Sequence, residues 1–182
     1  TFWVDSEKTF INAISQAKAG DVIEFAPTEI DIAMGKIKFS HGGTYGSPIT
    51  LRGVTNKTIL NLNTAEGFYI DKPYWVIEGL TMKGVCDIDE KCNHAIHVVG
   101  NASNTIIRNN RFLNFNAHIK GNGNRDGHFP HKVMILDNEF RNEWVRYTNK
   151  PVVPIDVVGG NHWLIQNNFI SDFGRKHKQN KN

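Results

Sequence analysis

The stretch IIRNNRF at residues 106–112 sets two apolar residues before a pair of asparagines and an aromatic residue after them. Near-copies occur as VIEGLTM at 76–82, MILDNEF at 134–140 and LIQNNFI at 164–170, with a looser ITLRGVT beginning at Ile49. Counted from Ile77, Ile107, Ile135 and Ile165, the steps are 30, 28 and 30 residues. A period near this length marks a solenoid, and the choice lies between helical pairs and strand coils. The segments are short, rich in Ile, Val and Phe, and end in Asn-Asn or Gly, which favours tight turns over helices. The sequence therefore predicts an all-β parallel β-helix, each strand stacking on its equivalent one coil away at about 4.8 Å.

The asparagines then have a structural task. Asn109, Asp137 and Asn167 form one column and Asn110, Asn138 and Asn168 the next, at turns where a left-handed backbone is cheap for Asn and its side chain reaches neighbouring backbone. They are read as turn residues, not as catalytic ones. Ahead of the coils, Ser6 is expected to cap a helix with Phe10, Ile14 and Ala17 on one face, ended by Gly20. The chain thus divides into a cap over residues 1–20, coils over 21–173 and a basic tail over 174–182, within one β-helix domain.

Composition fits a single core: 182 residues, 40% hydrophobic, with no apolar run long enough to cross a bilayer. The formal charge of +3 comes from the last nine residues, which hold four of the 21 basic residues and leave 17 against 18 acidic ones in the rest. A neutral body argues against nucleic acid as partner, and the short apolar runs argue against a membrane. Cys86 and Cys92, six apart in a polar stretch, suit a loop disulfide better than a zinc site, and so favour a secreted or periplasmic setting.

Each repeat carries a second phrase: FYIDKP from Phe68, AIHVVG from Ala95, AHIKG from Ala117 and PIDVVG from Pro154. Aligned on their closing Gly or Pro, they turn Ile96, Val98, Ala117, Ile119, Ile155 and Val157 inward by alternation. The expected outward column is His97, His118 and Asp156, with Val99, Lys120 and Val158 beside it. Stacked side chains of these types lie close enough to share protons or a ligand. The 37 residues between His118 and Asp156 bring Arg125, His128, His131, Trp144, Arg146 and Tyr147, residues suited to gripping an acidic sugar through guanidinium–carboxylate pairing and aromatic stacking.

At HAIHVVGNAS (94–103), FNAHIKGNG (115–123) and PVVPIDVVGGNHW (151–163) the chain resembles bacterial right-handed β-helix repeat proteins of the pectate-lyase-like superfamily. The resemblance spans most of the chain and implies the right-handed form of the helix. It also implies polysaccharide lyases, glycoside hydrolases or proteins without known activity as candidates. The calcium-assisted sites of alginate and dermatan lyases are not matched, because acidic ligands do not cluster on successive strands. No cofactor is therefore expected, calcium being the one that the resemblance would admit. Because the final coil lacks an obvious cap, a further chain segment is expected to complete the β-helix.

The leading functional expectation is a lyase that cleaves a uronic-acid-containing polysaccharide by β-elimination. Lys120 or His118 would be the base, His97 the acid or a second proton carrier, Arg125 or Arg146 the carboxylate partner, and Asp156 the group orienting a histidine. The alternatives are a non-catalytic glycan-binding or structural β-helix, and a glycoside hydrolase. A hydrolase needs two carboxylates at a set separation, and the column offers only Asp156.

Overall fold

The computed structural model describes residues 1–178, so Lys181 of the expected basic tail lies outside the described residues. The chain is a parallel β-helix of about six turns with one short helix. Sheet 1 stacks Phe2–Val4, Val22–Phe25, Ile49–Arg52, Trp75–Glu78, Ile106–Arg108, Met134–Leu136 and Leu164–Gln166. Sheet 2 stacks Glu29–Ile32, Ile59–Leu62, Thr81–Gly84, Arg111–Leu113, Glu139–Arg141 and Phe169–Ser171. Sheet 3 stacks Ile37–Lys38, Phe68–Ile70, Ile96–Val99, Ala117–Asn122 and Val153–Val157.

Sheets 1 and 2 obey the sequence repeat directly. Ile107 pairs with Ile77 and Ile135, and Phe112 with Met82 and Phe140, in unbroken parallel register. Their side chains point into one continuous core, and Phe112 stacks on Phe140 at 5.0 Å. Burying such a residue contributes about 1.5–3 kcal/mol, so the column of equivalent apolar positions stabilises the coil cooperatively. In the coil of Leu164–Gln166, the equivalent Ile165 is 48% exposed and Ile170 is 49% exposed.

The asparagine columns take the roles expected of them. Asn109, Asp137 and Asn167 have φ of 55°, 56° and 57°, with Gly79 at 71° in the same column. Next to them runs an amide ladder, buried at Asn110 and Asn138 and partly buried at Asn168. Asn110 donates to the Ile77 carbonyl, Asn138 to that of Ile107 and Asn168 to that of Ile135, at 2.8–2.9 Å. Each Oδ1 in turn accepts the backbone N–H of the coil before, Leu80, Asn110 or Asn138. The turn thus satisfies its own backbone groups inside the stack, where an unpaired one would be costly.

The helix Glu7–Gln16 follows a first strand that the sequence reading missed. Ser6 and Thr9 form a reciprocal capping box. Phe10 enters the core and meets Phe25 and Phe68, both at 5.3 Å, so the helix seals the first coil. Cys86 and Cys92 are joined in a disulfide.

A candidate site on the outer face of sheet 3

In sheet 3 the strand Ala117–Asn122 is displaced by two residues from the alignment on closing glycines, whereas His97 and Asp156 keep the common column that the alignment gave them. Ile96 pairs with Ile119 and His97 with Lys120, while Lys120 pairs with Asp156 and His97 with Tyr69. The outward column is therefore Tyr69, His97, Lys120 and Asp156. Strand ends in this sheet do not coincide from coil to coil, since Ala117–Asn122 runs on through Gly121. A glycine at a strand end is thus a poor register mark here.

His118 does not stand in this column. Ala117, His118 and Ile119 are all buried where the chain turns into sheet 3, so alternation fails at this corner. The ring of His118 is fully covered, packed against Phe115, Phe140 and Phe173 at 5.0–5.9 Å and held by the Oδ1 of Asn142 at 2.8 Å. Burial drives its pKa down to about 3, with nearby Arg146 acting the same way. It is a neutral core residue, and the expectation of an outward His118 is corrected.

Arg146 is corrected as well. It is 1% exposed, with its guanidinium 3.1 Å from Asp89 and donating to the carbonyls of Asp89 and Cys92. Its donors are committed to Asp89, Cys92 and the Asn116 side chain, leaving no face for a substrate carboxylate. Trp144 and Tyr147 remain half-exposed on the same excursion. The Trp144 indole N–H donates to Asp89 and the Tyr147 backbone N–H does likewise, which pins the excursion to the loop. His131 is exposed at the entry to sheet 1, bridged to Asn161. None of these three belongs to the His97 cluster. His128 is exposed on the 123–130 loop, where Asn124 holds its backbone.

Arg125 does reach the column's neighbourhood. A cleft of about 530 Å³ is lined by Tyr69, His97, Asn122, Asn124, Arg125 and Asp126. Within it His97 is held from both sides, Nδ1 by Glu66 at 2.5 Å and Nε2 by the Asn122 side chain at 2.6 Å. Tyr69 lies edge-on to His97 at 5.3 Å, and His94 sits 5.4 Å away. Lys120 is ion-paired with Asp156 at 2.6 Å, so Asp156 orients the lysine and not a histidine.

The local charges have distinct causes. Burial opposes the Glu66 carboxylate, but its hydrogen bond and charge contact with His97, helped by His94 and Lys36, hold its pKa below the ordinary value. Burial pushes the Tyr69 phenol up, and the carboxylates of Asp71 and Glu66 add to this. Burial lowers the pKa of His94. Tyr69, Glu66, His94 and Asn122 were missed by the sequence reading. The first was within reach, because Tyr69 stands in the recurring phrase, whereas Glu66 and Asn122 act across coils with no local signature. Among the described residues no three His, Cys, Asp or Glu side chains converge to ligate one ion.

The parallel β-helix architecture is shared by solved structures. The alginate lyase from Paenibacillus sp. strain FPU-7 superposes with a TM-score of 0.60 at 18% identity, covering 93% of this chain and 65% of that one. The PL6 family polysaccharide lyase from Pseudopedobacter saltans gives 0.57 at 21% identity, covering 93% of this chain and 46% of that one. The chain thus spans about half to two thirds of the length of these proteins. The superpositions establish a shared parallel β-helix fold. No protein-family model matches the chain, and no curated protein sequence matches it. Among the described residues, no helix is long and apolar enough to cross a membrane.

Proposed function

We propose that the protein is a polysaccharide lyase that cleaves a uronic-acid-containing chain by β-elimination on the outer face of sheet 3. The observation that carries this reading is the His97 arrangement, a histidine gripped by Glu66 and flanked in one column by a phenol and an ammonium. β-Elimination needs the sugar carboxylate neutralised, the C5 proton removed and the leaving oxygen protonated.

These needs are met by separate groups. Arg125, exposed at the cleft, pairs with the carboxylate. Once substrate displaces the Asn122 Oδ1 contact and the Nε2 proton is released to solvent, His97 takes the C5 proton on Nε2, and the imidazolium that forms is stabilised by Glu66 at Nδ1. Lys120, held by Asp156, adds positive charge beside the developing enolate. The Tyr69 phenol, kept protonated by its raised pKa, donates to the leaving oxygen. An acidic polysaccharide outside the cell suits a disulfide-bearing chain, and we place the protein in a secreted or periplasmic setting.

The decisive assay incubates the protein with alginate, polygalacturonate and glycosaminoglycan chains and follows ultraviolet absorbance from unsaturated sugar ends alongside total reducing ends. Both signals rising together support elimination. Reducing ends without absorbance would make the protein a hydrolase, and neither signal would leave a binding module.

A further inference from the structure

Beyond the sheet 3 cleft, a second recess opens on the outer face of sheet 1. It has a volume of about 260 Å³, and Val76, Ile106 and Met134 from three successive coils contribute to its lining. Tyr45 and Tyr74 flank these residues, and Asn104 and Lys132 bring the polar groups. Tyr45 is 90% exposed at the tip of a turn closed by a Thr44–Ser47 bridge. No carboxylate lines the recess, and Lys132 has no acidic partner among the described residues.

The backbone supplies an independent observation. Register along sheet 1 makes Tyr74, Asn104, Lys132 and His162 equivalent positions, each two residues before Val76, Ile106, Met134 and Leu164. All four have φ between 55° and 59°. Asn adopts this left-handed conformation readily, whereas a bulky aromatic rarely does. Tyr74 thus takes a conformation that Asn104 in the same column adopts more readily, so the turn by itself does not call for an aromatic residue there.

We infer that this recess is a second binding site for acidic polysaccharide, separate from the sheet 3 cleft. Tyr45 and Tyr74 stack on sugar faces, Lys132 pairs with a uronate carboxylate, and the Asn104 amide bonds to hydroxyls. The choice of an acidic sugar rests on the polysaccharide reading above. The aromatic walls call for a flat apolar face, and the unopposed ammonium calls for an anion on it.

The test is titration calorimetry of hexasaccharides of alginate and polygalacturonate, with cellohexaose as the neutral control, all in a His97→Ala background to prevent cleavage. Tyr45→Ser and Tyr74→Asn are each expected to weaken the acidic ligand about tenfold. Lys132→Asn is expected to do so less, and to flatten the salt dependence. Thermal stability of Tyr74→Asn is expected to hold or rise, which separates lost binding from lost folding. Unchanged affinity in both tyrosine variants, or no binding by either acidic hexasaccharide, would overturn the site. Equal binding of cellohexaose, unaffected by Lys132→Asn, would overturn its acidic specificity. Failure of the lyase reading is seen separately, as wild-type protein that yields no unsaturated ends while these affinities still change.

Discussion

The edge joining sheets 1 and 2 and the outer face of sheet 3 belong to the same coils, yet they use polar residues in opposite ways. At the first, Asn110, Asn138 and Asn168 turn inward and answer the backbone's own donors and acceptors. At the second, His97 and Lys120 stand outward and are held by side chains, Glu66 and Asp156. A polar residue bonded to backbone repeats wherever the backbone repeats. One bonded to another side chain depends on which coil it lies in, and this is the arrangement a reaction site requires.

The contrast can be broken most sharply at His97. His97→Ala is expected to lower lyase turnover by 10²–10⁴-fold, the usual range for a lost acid–base group, while changing the melting temperature little. Glu66→Gln should lose part of this rate and alter the pH–rate profile. An unchanged rate in both variants would remove the column from the mechanism.

The opposite outcome is expected at the ladder. Asn138→Ala strips the Ile107 carbonyl and the Asn110 backbone N–H of buried partners, and each orphaned group costs about 1–3 kcal/mol. Urea unfolding should show a loss of about 3 kcal/mol, with activity per folded molecule retained.

His118 sharpens the comparison through pH. Its folded pKa of about 3 lies below the ordinary 6.5, so the unfolded chain takes up a proton that the folded one refuses. Its contribution is complete above pH 6.5 and is lost as pH falls towards 3, at about 1.4 kcal/mol per unit. Between pH 6.5 and 5 this amounts to about 2 kcal/mol, and His118→Gln should remove that slope. A slope unaltered in the variant would mean that the ring is not the group responsible. The smallest effect is expected at Asp137, held at φ 56° in a column where Asn recurs. Asp137→Asn should raise stability by no more than about 0.5 kcal/mol in the same unfolding experiment.

Two histidines measure how far the sequence could be read. His97 and His118 occupy similar phrases, AIHVVG and AHIKG, and alternation turns both outward. One lies at a strand centre, where alternation holds. The other lies at a corner, where three consecutive side chains are buried. Arg146 was misread for a related reason: its partners, Asp89 and Cys92, are more than fifty residues away in a loop, and no local pattern announces them. Arg125 was placed near the cleft because its loop follows directly on the column strand.

By itself the sequence determined the repeat, the strands of sheets 1 and 2 within the four repeated phrases, the asparagine turn and the capping helix. Each rests on short-range rules, namely turn conformation, side-chain period and a capping hydroxyl, and a nearly constant step then stacks like on like. Only the tertiary structure decided the register of the strand Ala117–Asn122 in sheet 3, which sets Lys120 in place of His118 between His97 and Asp156, and the placing of Tyr69 beside His97. Connections of unequal length lead into that sheet, so its pairing is set by hydrogen bonds and core packing between coils, and a two-residue shift preserves the alternation that sequence can read while exchanging the neighbours that chemistry needs.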